Sequence, residues 1–186
     1  MSFLSRRLHR LAALALLVLP VLLPGEVIDS APGGFTVRGV MTLQVPPSEA
    51  YQKFVQNVGD WWDSGHTFSG NAKNLSLDDQ PGGCFCEKWA GGGVQHLRVV
   101  YVSPGKVLAM RGGMGPLMSL AVTGGMEIQF AAVENGTKLT YTYSVGGYIP
   151  KGAESWAAPV DGMLAETFGR FRNYVNTGSA DGKGGK

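Results

Sequence analysis

The chain carries little charge of either sign. Charged residues make up 16% of its 186 residues, and the formal net charge is only +2. Binding to nucleic acid calls for a concentrated basic surface, so the composition argues against a nucleic-acid partner. Hydrophobic residues account for 44% of the chain, a content that is typical of a globular protein with a generous core.

Long hydrophobic runs are also lacking. The most apolar stretch, Leu11–Leu23, has thirteen residues, whereas a membrane-spanning helix needs about 20. It follows Arg6, Arg7 and Arg10 and precedes small or flexible residues, which is the order found in a secretory signal peptide. We therefore predict a signal peptide over residues 1–31, an exported protein that is periplasmic or secreted, and no stable membrane span once the signal is removed.

Only two cysteines are present, Cys84 and Cys86, and they lie on one predicted strand. Export alone suggests a disulfide. Residues i and i+2 of a strand are about 6.6 Å apart, however, while a bridge needs Cβ atoms about 3.8 Å apart. We therefore expect two free thiols, either as small buried hydrophobes or as a metal pair completed by His96 or His66.

Signatures of nucleophilic catalysis and of phosphate binding are missing as well. There is no Gly-x-Ser-x-Gly motif, and the glycine run over residues 91–93 lies between predicted strands, without the helix start that phosphate binding needs. Nothing in the sequence implies a cofactor. These absences favour a binding protein over an enzyme.

The spacing of apolar residues predicts an α+β domain over residues 32–178, followed by a disordered tail over residues 179–186. A strand over residues 35–45 precedes two short helical segments and six further strands. The last two strands form a hairpin across Asn135-Gly136, a dipeptide suited to a type I′ turn. A helix then begins at Pro159, so the order is β-α-α-β-β-β-β-β-β-α, with an antiparallel sheet of about seven strands.

An ordered set of short strings, together with this element order, resembles the START-like or helix-grip superfamily, also called SRPBCC. The resemblance is greatest to its polyketide cyclase-like and Hsp90-activator-homolog-like branch and covers residues 35–177. The strings are Val45-Pro46-Pro47, Trp61-Trp62, His66-Thr67-Phe68-Ser69-Gly70, Gly82-Gly83-Cys84-Phe85-Cys86-Glu87, Gly115-Pro116-Leu117 and Val145-Gly146-Gly147-Tyr148.

The resemblance implies a curved antiparallel sheet that grips the long C-terminal helix and leaves a cavity between them. Members of the superfamily bind lipids, polyketides, hormones or other apolar molecules, and some are cyclases or recruit a chaperone. A fold shared so widely does not select among these roles.

Small-molecule pockets are lined by large apolar side chains with a few polar groups, and the candidate ligand-binding residues follow that rule. The alternative explanation for each of these residues is that it simply fills the hydrophobic core. They are Trp61, Trp62, His66, Phe68, Phe85, Glu87, Trp89, Tyr101, Met110, Tyr143 and Phe168.

Two of these residues are candidates for catalysis. The unperturbed pKa of a histidine side chain lies near neutral pH, so His66 is suited to act as a general base or to bind a ligand carbonyl; alternatively its ring bonds to nearby backbone. Glu87 shares a strand face with Phe85, and if that face is buried the carboxylate needs a partner, with Arg98 or Arg111 as candidates.

Three functions follow from this sequence. The first is an exported protein that holds a small apolar molecule between the sheet and the C-terminal helix. The second is a cyclase- or dehydratase-like enzyme that uses His66 with Glu87 or Tyr143 in the same cavity. The third is a protein-binding role for loop 112–120, which requires an exposed patch of Met114, Leu117, Met118 and Leu120; no partner protein is identified.

Overall fold

Alternating apolar and polar residues build one antiparallel sheet in the computed structural model, which describes residues 25–183. The eight strands lie in the order β1-β2-β8-β7-β6-β5-β4-β3. Their bounds are Glu26–Ala31 (β1), Gly34–Leu43 (β2), Leu75–Leu77 (β3), Cys84–Trp89 (β4), Gly92–Ser103 (β5), Val107–Arg111 (β6), Ala121–Val133 (β7) and Gly136–Tyr148 (β8).

Three α-helices accompany the sheet: α1 (Pro47–Gln56), α2 (Val58–Trp61) and α3 (Glu154–Thr177). The first two connect β2 to β3, together with 3-10 turns at Ser64–His66 and Ala72–Asn74. A further 3-10 turn, Gly115–Ser119, connects β6 to β7. No helix within residues 25–183 is long and apolar enough to cross a membrane.

Helix α3 packs across the inner face of the sheet. Its Leu164, Phe168 and Phe171 are fully buried, and the ring of Phe168 stacks on Tyr141 of β8 with centroids 4.0 Å apart. This arrangement confirms the predicted α+β helix-grip fold, in which a curved antiparallel sheet holds a long C-terminal helix.

The sheet has one strand more than predicted. Strand β1 pairs antiparallel with β2 and lies inside residues 1–31, the segment assigned to the signal peptide; residues 1–24 are outside the described part of the chain. All six β1 residues are exposed, so the strand has no inward-facing apolar positions, and an alternation of apolar and polar residues could not reveal it.

Helix α3 begins before Pro159, which is a second correction. The helix starts at Glu154 and contains the proline in its second turn. A proline there removes one backbone hydrogen bond. Ala157 and Val160 are both buried, so packing of this first part of the helix offsets that loss.

The predicted hairpin between β7 and β8 is present, but its turn differs from the prediction. Val133 pairs with Gly136, so the two loop residues are Glu134 and Asn135. Within residues 25–183 the one non-glycine residue with positive φ is Lys151, which excludes the predicted type I′ turn. Gly136 (φ 138°) instead allows a close approach, because a Cβ there would collide with the carbonyl oxygen of Leu43.

Candidate functional site

The interior between the sheet and α3 is filled by side chains. The void that remains there is about 10 Å³, lined by apolar residues that include Trp61, Met110 and Phe168. A space of this size holds about one water molecule. The cavity expected between the sheet and the C-terminal helix is therefore closed within the described residues.

A separate cleft of about 270 Å³ lies beside α3. Its walls come from three segments: loop 62–68, loop 114–116 and the side chain of Met163 on α3. His96 of β5 completes the lining. Small-molecule pockets usually measure about 300–1,000 Å³, so this cleft suits a small ligand.

A β-bulge brings His96 to the cleft. Phe85 pairs with Leu97 and Cys86 pairs with Gln95, which leaves His96 as an extra residue of β5. The consecutive residues His96 and Leu97 are therefore both buried, whereas regular alternation along a strand would turn one of them outward. Bulges occur often beside functional sites because they redirect a side chain in this way.

Local hydrogen bonds hold loop 62–68 in a defined shape. The Trp62 indole N–H donates to the backbone oxygen of His66 (3.0 Å). Asp63 accepts a bond from the Gly65 amide (2.6 Å), and the Thr67 hydroxyl donates to the Ser64 carbonyl oxygen (2.8 Å). This wall of the cleft is therefore preformed.

The carboxylate of Glu87 connects the loop to the floor of the cleft. Glu87 is fully buried and accepts bonds from the backbone amides of Phe68 (3.0 Å) and Ser69 (2.5 Å). Its Oε2 also lies 3.2 Å from Nε2 of His96. Burial raises the pKa of Glu87, but the bonds from Ser69, Phe68 and His96 outweigh burial and leave the pKa below its usual value.

The expected partners of Glu87 were wrong. The sequence suggested Arg98 or Arg111, but backbone amides and an imidazole provide the bonds instead. A buried carboxylate needs donors of hydrogen bonds rather than a cation as such, and the loop supplies two of them.

The surroundings of His96 favour the neutral form of its imidazole at neutral pH. Burial lowers the pKa of His96 and outweighs the opposing effect of the hydrogen bond and charge of Glu87. An ionised carboxylate only accepts hydrogen bonds, so the proton of the neutral ring lies on Nε2 and is donated to Glu87. Nδ1 is then the unprotonated nitrogen of the ring.

Tyr143 holds the opposite wall of the cleft. Its hydroxyl donates to the Gly112 carbonyl oxygen (2.9 Å) and accepts from the Met114 amide (3.0 Å). The ring reaches this position because Gly124 has no Cβ to collide with it. Burial raises the pKa of Tyr143 to about 12 despite the lowering effect of the Met114 bond, so Tyr143 positions the loop.

His66 lines the same cleft as His96 but is partly exposed to solvent. Its Nε2 is 3.6 Å from Oε2 of Glu166 on α3, and 37% of the His66 side chain is exposed. The ring thus faces a carboxylate of the helix rather than the nearby backbone. His66 and Glu87, the predicted catalytic pair, do not share a hydrogen bond among the described residues.

The predicted ligand-binding residues divide into three groups. Trp62, His66 and Phe68 line the cleft, and Phe85 and Glu87 support it from behind through contacts with His96. A second group lies in the filled interior or behind the cleft wall: Trp61, Met110, Tyr143 and Phe168.

The third group, Trp89 and Tyr101, lies away from the cleft. Trp89 is 38% exposed and packs over Gly92 at the turn after β4. Tyr101 is 56% exposed because Val99 pairs with Met110 and Tyr101 with Ala109. That bulge makes Val100 an extra residue and turns the following side chain outward.

Sequence reasoning missed Met163, Gly115 and Pro116 as cleft residues, and it considered His96 only as a metal ligand. Met163 belongs to the amphipathic pattern of α3, where a residue of the apolar stripe is indistinguishable from a core residue. The resemblance did contain Gly115-Pro116, and Met114 of the same wall was considered as part of loop 112–120.

Cys84 and Cys86 form a disulfide, which corrects the expected free thiols. The two Cα atoms lie 5.4 Å apart, closer than the roughly 6.6 Å of a regular strand and within the usual 4.4–6.8 Å range for a bridge. The cysteines are therefore unavailable as thiolate ligands. Within residues 25–183 no group of three or more potential ligands that could hold a metal ion is found.

Loop 112–120 does not present the apolar patch that a protein-binding role requires. Met114 and Leu117 are buried, and Met118 is 37% exposed. Leu120 packs partly buried against the core. The patch is therefore reduced to one methionine side chain.

A larger, open groove of about 710 Å³ lies between α1 and β3. Its ionisable lining groups are Tyr51, Asp78 and Asp79, and the Tyr51 hydroxyl donates to Asp79 (2.6 Å). None of the predicted site residues lines it. The smaller cleft, with aromatic walls and two imidazoles, is the better candidate site.

Comparisons with known proteins show the fold and no more. No protein-family model and no curated protein matches the chain. Among solved structures, the chain is similar to conserved protein EF2215 of Enterococcus faecalis, with TM-score 0.55, 10% identity, and coverage of 80% of this chain and 75% of that one.

Two further solved structures are similar in the same way. Protein CV1439 of Chromobacterium violaceum has TM-score 0.53 and 16% identity, over 75% of this chain and 96% of that one. DynU16, from the dynemicin biosynthetic locus, has TM-score 0.53 and 18% identity, over 78% of this chain and 48% of that one.

Proposed function

We propose that the protein is an exported binding protein for a small, largely apolar molecule, which it holds in the cleft beside α3. The observation that carries this proposal is the preformed 270 Å³ space between two fixed loops and the helix. Apolar walls with a few polar groups at the base are the usual construction of a small-molecule site.

Rigidity of the walls supports the proposal. Glu87 fixes one loop through two backbone amides, and Tyr143 fixes the other through Gly112 and Met114. A ligand that enters a site of this kind does not have to order its walls, so less of the interaction free energy is lost on binding.

Export is supported by two independent features. The N-terminal order of arginines, apolar residues and small residues is that of a signal peptide. The Cys84–Cys86 disulfide suits an oxidising compartment outside the cytoplasm. We propose that the signal peptide ends at residue 31. Cleavage there would remove β1 from the mature protein.

Methionine methyl groups provide a direct test of ligand binding. Met163 lines the cleft and not the filled interior, whereas Met110 and Met126 line the interior and not the cleft. We expect 2-fluoronaphthalene, as an apolar probe, to shift the carbon-13 methyl signal of Met163 and to leave those of Met110 and Met126 unchanged. The absence of any saturable shift at Met163 would refute the proposal.

Matched variants locate the probe. Met163→Trp fills the cleft and should abolish the titration, which for both variants is followed by the methyl signal of Met114, a second methionine of the cleft lining. Met118→Trp changes an exposed methionine that is not one of the cleft-lining residues and should leave the affinity within about twofold. Equal affinities of the two variants would place the probe elsewhere.

A cyclase-like enzyme is a second candidate, favoured by one observation. A neutral imidazole oriented by a carboxylate at the base of a cleft has the arrangement of a general base. Such a base would exchange the methyl protons of 2-acetylnaphthalene for deuterium in D₂O, with loss of exchange in His96→Gln. Exchange no faster than in buffer alone would leave binding as the function.

A further inference from the structure

His96 is the polar group at the base of the cleft whose role is not explained by packing. Only 5% of the residue is exposed, and its ring contacts Phe85, with centroids 5.1 Å apart, and Phe68, at 5.9 Å. An apolar side chain would fill this position without the cost of burying polar atoms. The bulge in β5 nevertheless turns the imidazole toward the cleft.

The hydrogen bond to Glu87 determines what the ring offers to a ligand. Nε2 donates to the carboxylate, 3.2 Å away, so Nδ1 carries the lone pair. Among residues 25–183, Nδ1 has no hydrogen-bond partner, yet it is not fully buried either. It therefore keeps access to open space, which beside this ring is the cleft.

We propose that the cleft selects small aromatic molecules that carry a neutral hydroxyl group, and that the hydroxyl donates to Nδ1 of His96. This inference rests on the proposed ligand-binding function and names the chemical class. Trp62 and Phe68 supply aromatic surfaces for the ring of the ligand. A bare Nδ1 accepts a hydrogen bond and cannot donate one to a carbonyl or an ether.

Anionic ligands are disfavoured by the charges around the cleft. The carboxylate of Glu87 is hydrogen-bonded to the imidazole of His96, and that of Glu166 lies 3.6 Å from the ring of His66, a cleft residue. A phenol-type hydroxyl therefore fits this site better than an aromatic carboxylate of the same size.

Four naphthalene compounds separate these possibilities. We expect 2-naphthol to bind about 3- to 10-fold more tightly than 2-fluoronaphthalene, which has a similar shape but no donor, because one neutral hydrogen bond is worth that factor. 2-Methoxynaphthalene should show no such gain, and 2-naphthoate should bind most weakly. The Met163 methyl signal follows all four titrations.

Nitrogen-15 signals of the imidazoles test the atom itself. Nδ1 of His96 should be unprotonated in the free protein, and its signal should move on addition of 2-naphthol but not of 2-fluoronaphthalene. His96→Leu should reduce the 2-naphthol affinity to that of 2-fluoronaphthalene. If that variant does not fold, the comparison of the two probes on the native protein stands in its place.

The possible outcomes distinguish a failure of the hydroxyl preference from a failure of ligand binding in the cleft. If all neutral compounds bind equally and Nδ1 does not respond, the hydroxyl preference is wrong while ligand binding in the cleft survives. Tighter binding of 2-naphthoate also overturns the preference, in favour of an anion. If none of the compounds moves the Met163 signal, the proposed function itself fails.

Discussion

Replacing Glu87 by alanine is the perturbation whose cost is best defined by the structure. The carboxylate is fully buried and accepts three hydrogen bonds, from the amides of Phe68 and Ser69 and from His96. The substitution removes all three acceptor contacts at once and leaves three donors to find new partners.

The three donors differ in what they lose. Phe68 is 54% exposed and Ser69 is half-buried, so their amides can bond to water once the loop loosens. The imidazole N–H of His96 is buried and has no such alternative. A buried hydrogen bond to a charged group is worth about 1.5–3 kcal/mol, and we expect Glu87→Ala to lower the free energy of unfolding by at least that amount.

Urea denaturation with a matched control measures this loss. Glu127→Ala removes an exposed carboxylate from β7 and should change the free energy of unfolding by less than about 0.5 kcal/mol. Glu87→Ala should also speed hydrogen exchange at the amides of Phe68 and Ser69. A loss within about 1 kcal/mol of the control, without faster exchange, would show that the carboxylate does not hold the loop.

Three further predictions concern pH, the disulfide and the N-terminus. Stability should decrease as the pH falls below 6.5, because His96 is then protonated in the unfolded chain but, with its lowered pKa, less so in the folded protein. The lowered pKa of Glu87 adds a further loss of stability below pH 4.5. Urea midpoints that stay constant from pH 7.5 to pH 4 would contradict this prediction. Reduction of Cys84–Cys86 should cost at most about 1.6 kcal/mol, since the closed loop has only about three residues, and a larger loss in unfolding with dithiothreitol would require another role for the bridge. A chain that begins at Pro32 should still unfold cooperatively, because every residue of β1 is exposed, and calorimetry without a cooperative transition would argue that β1 belongs to the mature domain.

The architecture could be predicted because its main elements carry their pattern in adjacent residues. In β2 the buried positions alternate along Phe35, Val37, Met41 and Leu43, and the apolar stripe of α3 repeats over Val160, Leu164 and Phe171. Each pattern reports one buried face, and one face is enough to determine whether a segment packs as a strand or as a helix. Strand β1 has no buried face, and it was missed for that reason.

The candidate site depends on irregularities that no periodic pattern contains. The extra residue at His96 changes which side chains of β5 face inward, and the one at Val100 turns Tyr101 outward. Both insertions are known only once the strands are paired. The sequence therefore included Trp62, His66 and Phe68, which line the cleft, and offered a buried Glu87 as one of two alternatives, but it could not assign the carboxylate its partner.

Burying a carboxylate and an imidazole to fix a loop has a high cost in desolvation free energy. Glu87 could anchor the amides of Phe68 and Ser69 without His96, and an apolar residue in place of His96 would avoid the desolvation of the ring. The bulge of β5 itself gives up regular pairing at that point. We therefore attribute the orientation of His96 to the hydrogen bond that its Nδ1 is proposed to accept in the cleft, rather than to the stability of the fold.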